Sequence, residues 1–352
     1  MRQLYEYHPV IGYRFIPNLR VRIPHEGGGY LMQVNEQGFR SDRPYTAART
    51  PGHRRVLVFG DSFTAGDAVP NRQRYTELLE PALSAKGNAP VEFYNFGLSS
   101  TGTDQHYLIW QHFARGIHHD MVVIAVFVEN IRRVAAQFRP HHDEQGRERI
   151  YAKPYYRLDD GVLHLCGVPP RRDPYDEHEL SAQQAAAVDH GGRLPLLRKI
   201  VNALGVRDVV QKMTQYQPLP HYDSPTHPDW LLMRAILAEW IGAIGKPVLL
   251  VPLPLPQHLD QTCDASGYQA RFAELAAATQ CMLHDPLPEL LSIPAPERRL
   301  LRWEKDIHFT PAGHKALASS LEPVLSEMLG ALPEPRTVQP AEQAESSTPT
   351  SN

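Results

Sequence analysis

The chain has 352 residues, a formal net charge of −3 at pH 7, 42% hydrophobic residues and 21% charged ones. At ~150 residues per domain this length fits two domains or one enlarged by insertions, and the composition excludes a wholly disordered or fibrous chain. The near-neutral balance supplies no basic field, so nucleic acid is not expected as a partner.

The 32 prolines imply stiff, extended loops. Cys166, Cys263 and Cys281 are odd in number and widely spaced. They form neither a disulfide framework nor a zinc pattern, which fits a reducing compartment. No apolar run approaches the ~18–20 residues of a membrane span. The opening segment, residues 1–9, lacks the apolar stretch of a secretory signal. The expectation is a cytoplasmic protein.

Residues 1–54 are rich in turn signals, among them Gly27-Gly28-Gly29 and Gln37-Gly38-Phe39-Arg40. They predict an arm of short strands and loops. No helix follows the triple glycine, so a phosphate cradle is not expected there. Five short apolar runs come next: Val56 to Phe59, Val91 to Phe96, Met121 to Val128, Pro247 to Val251, and Cys281 to His284. Runs of this length without alternation read as strands buried on both faces. Helical patterns lie between them, at Tyr75 to Leu83, Leu108 to Phe113, Ile236 to Ile244 and Phe272 to Ala276, and a last one runs from Leu317 to Met328. Alternating strands and helices predict a three-layer α/β/α fold with a parallel sheet.

Residues 131–230 interrupt the rhythm. They include a predicted hairpin, Tyr155 to Leu158 turning at Asp159-Asp160-Gly161 into Val162 to Leu165. A connection this long reads as a functional insertion, a cap. Residues 331–352 are nearly free of large apolar side chains and are expected to be a disordered tail.

In doubly wound sheets ligands collect at the carboxyl ends of the strands. After the first strand comes Gly60-Asp61-Ser62-Phe63-Thr64-Ala65-Gly66, after the second Gly97-Leu98-Ser99-Ser100, and after the third Asn130. Near the C-terminus, Asp306 stands two residues before His308, just ahead of the final helix. Together these supply a nucleophile (Ser62), a base (His308), an orienting acid (Asp306) and three oxyanion donors: the N–H groups of Ser62 and Gly97 and the Asn130 amide. Acyl transfer needs this inventory. The nucleophile elbow G-x-S-x-G is absent.

These blocks resemble those of the SGNH hydrolase superfamily, the GDSL-type esterases and lipases. Gly60-Asp61-Ser62 resembles the first block, Gly97 the second, Asn130 the third, and Asp306 with His308 the last. The resemblance implies a flavodoxin-like domain made of residues 55–130 and 231–330, with the arm, the 131–230 cap and the tail outside it. Two departures stand out. Val128-Glu129-Asn130-Ile131 keeps only the Asn of the usual G-x-N-D, and the last block reads D-x-H rather than D-x-x-H. The shorter spacing, with Phe309 and Gly313-His314 after it, resembles branches acting on exopolysaccharides, including acetyltransferase-like ones.

Other features read more simply. His118-His119-Asp120 and His141-His142-Asp143 lack metal-ligand spacing, so no metal is expected. Arg132-Arg133 reads as a solvated pair or, alternatively, an anion contact. Glu129 reads as a salt-bridged carboxylate or a contact to a substrate hydroxyl. Lys153-Pro154-Tyr155-Tyr156 is a candidate pocket wall, and His314 a structural ring. The expected activity is hydrolysis of an O-acetyl or short acyl ester of a small molecule or glycan, with no cofactor. The alternatives are an O-acyltransferase using the same residues on a glycan or natural-product hydroxyl, and a binding protein on a hydrolase scaffold.

Overall fold

The computed structural model describes residues 3–142, 145, 147–176, 179–181, 184, 185, 188 and 217–335. Most of the 131–230 segment between 177 and 216, and the tail from 336 onward, lie outside the described residues. So does Asp143, while nothing is described of the His142 side chain.

The arm forms two antiparallel hairpins, β1 (Tyr5–His8) with β2 (Gly12–Phe15) and β3 (Arg20–Ile23) with β4 (Tyr30–Gln33). The central domain then runs β5 (Arg54–Phe59), α1 (Ser62–Ala65), α2 (Tyr75–Lys86), β6 (Val91–Asn95), α3 (Thr103–Ile109), β7 (Met121–Phe127) and α4 (Asn130–Ala135). The insertion contributes two more hairpins, β8 (Phe138–His142) with β9 (Glu148–Ala152) and β10 (Tyr155–Asp159) with β11 (Val162–Cys166). The domain resumes with α5 (Pro228–Ile244), β12 (Val248–Leu253), α6 (Pro256–Leu259), α7 (Ser266–Thr279), β13 (Met282–Leu283), α8 (Leu287–Ser292), α9 (Ala295–Arg298) and α10 (Pro311–Gly330).

Five strands form one parallel sheet in the order β13-β12-β7-β5-β6. Read from β6, this is the flavodoxin-like 2-1-3-4-5 order. The chain steps one way from β5 to β6 and the other way for every later crossover. Right-handed crossovers therefore put α2 on one face and α3, α5 and α7 on the other. The packing agrees: α2 lies on α10, while α3, α4 and α7 lie on α5. Every residue of β5, β6, β7 and β12 is buried, which is why apolar residues follow one another in them without alternation. Phe59 stacks on Phe96 at 5.2 Å between ring centroids and meets Trp240 edge-on at 5.3 Å. Burial of side chains of this size contributes ~1.5–3 kcal/mol each.

The arm is fastened to the sheet by a charge. Arg40 is fully buried; its guanidinium donates to the carbonyls of Gly66 and Val69 and to Asn71 Oδ1. A buried charge needs such a full set of partners. The insertion is fastened in a similar way. Lys153, between β9 and β10, forms a buried ion pair with Asp104 on α3, and Tyr156 stacks on Tyr107. That is a correction to the reading of this segment as pocket wall: Lys153 and Tyr156 anchor the insertion to α3. The predicted β10–β11 turn forms at Asp160 (φ +49°) and Gly161 (φ +81°), both left-handed as a type I′ turn requires.

No helix among the described residues is long and apolar enough to cross a membrane.

Candidate active site

The strand order reverses between β5 and β7, and the crevice at such a switch point is where ligands bind in open α/β sheets. Ser62 follows β5, Asn130 follows β7 on one side, and Gly97 follows β6 on the other. The Ser62 turn is built by its neighbours. Asp61, fully buried, caps α1 by accepting from the Phe63 N–H at 3.1 Å. Gly66 closes the helix in the left-handed region (φ +76°), its N–H donating to the Ser62 carbonyl at 2.9 Å. Ser62 is thereby held at the mouth of the sheet, 5% exposed.

His308 reaches it from the other end of the chain. Ser62 Oγ and His308 Nε2 are 2.7 Å apart. His308 Nδ1 lies 2.5 Å from Asp306 Oδ1, which also accepts from the His308 backbone N–H at 3.1 Å. An ionised carboxylate only accepts, so Nδ1 carries the proton and Nε2 is left to accept from the Ser62 hydroxyl. The two-residue spacing suits this geometry because the loop doubles back. The Trp303 N–H donates to the His308 carbonyl, and the Thr310 N–H to the Leu301 carbonyl. Thr310 Oγ1 then caps α10 by accepting from the Gly313 N–H. Phe63, next to the serine, packs against the His308 ring at 5.0 Å and against Phe309 at 5.2 Å.

Electrostatics matches the geometry. Burial opposes charge on Asp306, but its bonds from His308 and His25 outweigh that and hold the carboxyl well below the usual range. Burial likewise works against a charged His308. The Asp306 bond and the negative charges of Asp67, Asp306 and Asp61 prevail, and its pKa rises above 6.5. His314, by contrast, has its pKa lowered to about 3 by burial first and then by the charges of Arg74 and Arg40. It stays neutral and accepts from the Tyr75 N–H at 3.3 Å, the structural role read from sequence.

Asn130 is fully buried, and among the described residues neither its Nδ2 nor its Oδ1 has a protein partner. A buried amide with nothing to bond is rare in native proteins and calls for an explanation. Gly97 departs from expectation. Its N–H donates to Asn95 Oδ1 at 2.8 Å, so it is not a free oxyanion donor. Its glycine identity has a steric cause: a Cβ there would come within 2.3 Å of the Ala65 backbone nitrogen. The Asn95 amide also donates to the Thr64 carbonyl at 2.7 Å, so this strand end is tied to the Ser62 helix.

Arg133 has partners within the fold. Its guanidinium donates to Asp61 Oδ2 at 2.8 Å and to the Thr101 carbonyl at 3.0 Å. It lies three residues after Asn130 on α4, so one side chain links the Ser62 turn, the segment after Gly97 and the helix that carries Asn130. Arg132 pairs with Glu129 at 2.9 Å, which accounts for both. His119 Nδ1 lies 2.7 Å from the Ile117 carbonyl. Among the described residues no group of three or more His, Cys, Asp or Glu side chains gathers to hold a metal.

Sequence reasoning missed Asn95 and the partner role of Arg133, and it missed His25. The first two have no motif. His25 sits on the arm, 281 residues before Asp306, whose Oδ2 its Nε2 approaches at 3.2 Å.

No protein-family model matches the chain, and no curated protein does. Similar solved structures include a lipase/acylhydrolase from Enterococcus faecalis, at 14% identity and TM-score 0.43, covering 78% of this chain and 96% of that one. A member of the lipolytic G-D-S-L family from Veillonella parvula is similar at 13% identity and TM-score 0.40, covering 78% and 98%. A variant of Axe2, an acetyl xylan esterase from Geobacillus stearothermophilus, is similar at 14% identity and TM-score 0.40, covering 76% and 92%.

Proposed function

We propose that this protein is a serine ester hydrolase acting through Ser62, His308 and Asp306. The observation that carries the reading is the continuous chain from Ser62 Oγ to His308 at 2.7 Å and from His308 to Asp306 at 2.5 Å, at the switch point of the sheet. Ser62 Oγ attacks the ester carbonyl as its proton passes to His308 Nε2. Asp306 stays ionised and stabilises the imidazolium. The developing oxyanion is met by the Ser62 N–H and by Asn130 Nδ2, whose want of any partner among the described residues supports that role. The tetrahedral intermediate collapses, the alcohol leaves with the proton from His308, and water repeats the sequence on the acyl-enzyme.

In this reading residues 55–130 and 231–330 are the hydrolase domain, with the 1–54 arm and the 131–230 insertion added to it. The substrate is a short acyl ester, its alcohol a small molecule or a glycan.

The test is a fluorophosphonate probe together with acetyl, butyryl and octanoyl p-nitrophenyl esters. The wild-type chain should label on Ser62. Ser62→Ala and His308→Ala should each lower kcat on the order of 10⁴–10⁶-fold, and the double variant hardly further, because the residues act as a unit. Retention of a tenth of the rate by Ser62→Ala, or simple multiplication of the two losses, would refute the triad. Esters supplied with sugar acceptors separate hydrolysis from acyl transfer by their products.

A further inference from the structure

Building on the hydrolase reading, we propose that His25 is a positioning residue of the catalytic machinery, donating its Nε2–H to Asp306 Oδ2 and so holding the carboxylate that orients His308. The two oxygens of Asp306 are divided between two partners. Oδ1 takes both bonds from His308, and Oδ2 lies 3.2 Å from His25 Nε2. The final torsion of an aspartate is broad and weakly restrained. With Oδ2 left to solvent, the carboxylate would swing and carry the His308 ring with it. Asp306 is 31% exposed, so solvent would compete for that oxygen; the His25 side chain, 14% exposed, occupies the position instead.

The imidazole is itself prepared to donate. The Gly27 N–H points to His25 Nδ1 at 3.5 Å, which makes that nitrogen the acceptor and leaves the proton on Nε2. The ring rests edge-on against Trp303 at 4.8 Å. Its neighbours grip the same loop. Glu26 accepts from the Lys305 N–H at 3.1 Å, and Gly27 lies so close to the Trp303 ring that a Cβ would come within 2.2 Å of it. The loop so gripped is the one whose Trp303 N–H bonds the His308 carbonyl. Three consecutive arm residues thus fix the acid–base loop, and only His25 does so through the acid itself.

The experiment compares His25→Phe, His25→Gln and His25→Ala in the full chain, by steady-state kinetics on p-nitrophenyl acetate and by the rate of fluorophosphonate labelling. His25→Phe keeps a ring against Trp303 but removes the donor. His25→Gln removes the ring but places an amide N–H near the former Nε2. The proposal expects kcat about tenfold lower for Phe and Ala with KM within twofold, since a misoriented base slows chemistry and leaves ground-state binding alone. It expects most of the rate back in His25→Gln, with labelling rates in the same order. A fully active His25→Phe, a His25→Gln as slow as His25→Ala, or a loss confined to KM overturns the role of His25 while leaving the hydrolase reading intact. A wild-type chain that neither labels nor cleaves esters overturns the hydrolase reading, and this role with it. If His25→Ala fails to fold, the Phe and Gln pair decides alone.

Discussion

Replacing Asn130 with Ala should separate activity from stability in opposite directions. The Asn130 side chain is wholly buried, with both polar atoms unbonded by any described residue. An unmade buried hydrogen bond costs ~1–3 kcal/mol. Truncation relieves that cost at two atoms. Against it stands the lost packing: at about 24 cal/mol per Å³, removing a three-atom amide gives up about 1 kcal/mol. Alanine is also the better helix former at the first position of α4, by a few tenths of a kcal/mol (~0.5). The balance predicts an unfolding free energy raised by about 1.5–5.5 kcal/mol. Loss of one oxyanion donor, however, costs ~10²–10³ in kcat, or ~2.7–4 kcal/mol of transition-state stabilisation. KM should hold, because the ground-state carbonyl asks little of the donor. Urea unfolding followed by tryptophan fluorescence gives the first quantity and p-nitrophenyl acetate kinetics the second. Asn130→Asp, similar in shape but negative where the oxyanion forms, should be at least as slow as Asn130→Ala. An Asn130→Ala protein destabilised by more than about 2 kcal/mol with kcat within threefold of wild type would refute the reasoning and make Asn130 a structural residue.

Two further outcomes follow from the same geometry. Arg133→Met strips the buried Asp61 carboxylate of its partner and should cost ~3–5 kcal/mol in denaturant unfolding; adding Asp61→Asn, which keeps the capping oxygen, should recover part of this, and a single variant within about 0.5 kcal/mol of wild type would remove Arg133 as the link between the Ser62 turn and α4. His308 must be neutral to act as a base and its pKa lies above 6.5, so kcat/KM should fall about tenfold per pH unit below a point above pH 6.5; Asp306→Asn removes the charge that raises that pKa, so the acid limb should move to lower pH, and a limb that stays in place would detach Asp306 from His308.

The short blocks were legible in the sequence because each is a local solution to a local problem. Gly60-Asp61-Ser62 with Gly66 writes a capped single turn after a buried strand. Asp306-Ile307-His308 writes a carboxylate and a ring that bond within one loop. The Asp160-Gly161 turn needs two left-handed residues and has them. Apolar runs buried on both faces announced the parallel sheet, since only a strand covered by helices on both sides tolerates them. The tertiary structure alone decided what long-range contacts decide. Folding brought Ser62 and His308, 246 residues apart, within hydrogen-bond distance, and the sheet order set β7, which Asn130 follows, beside β5. The Gly97 N–H was taken by Asn95, two positions earlier on the same strand end, and no motif distinguishes a free backbone donor from an occupied one. Arg133 and His25 were ordinary charged and polar residues in sequence. They found partners in Asp61 and Asp306 because burial leaves a carboxylate strongly in need of a donor, and which donor arrives is settled by packing, which a one-dimensional pattern does not encode.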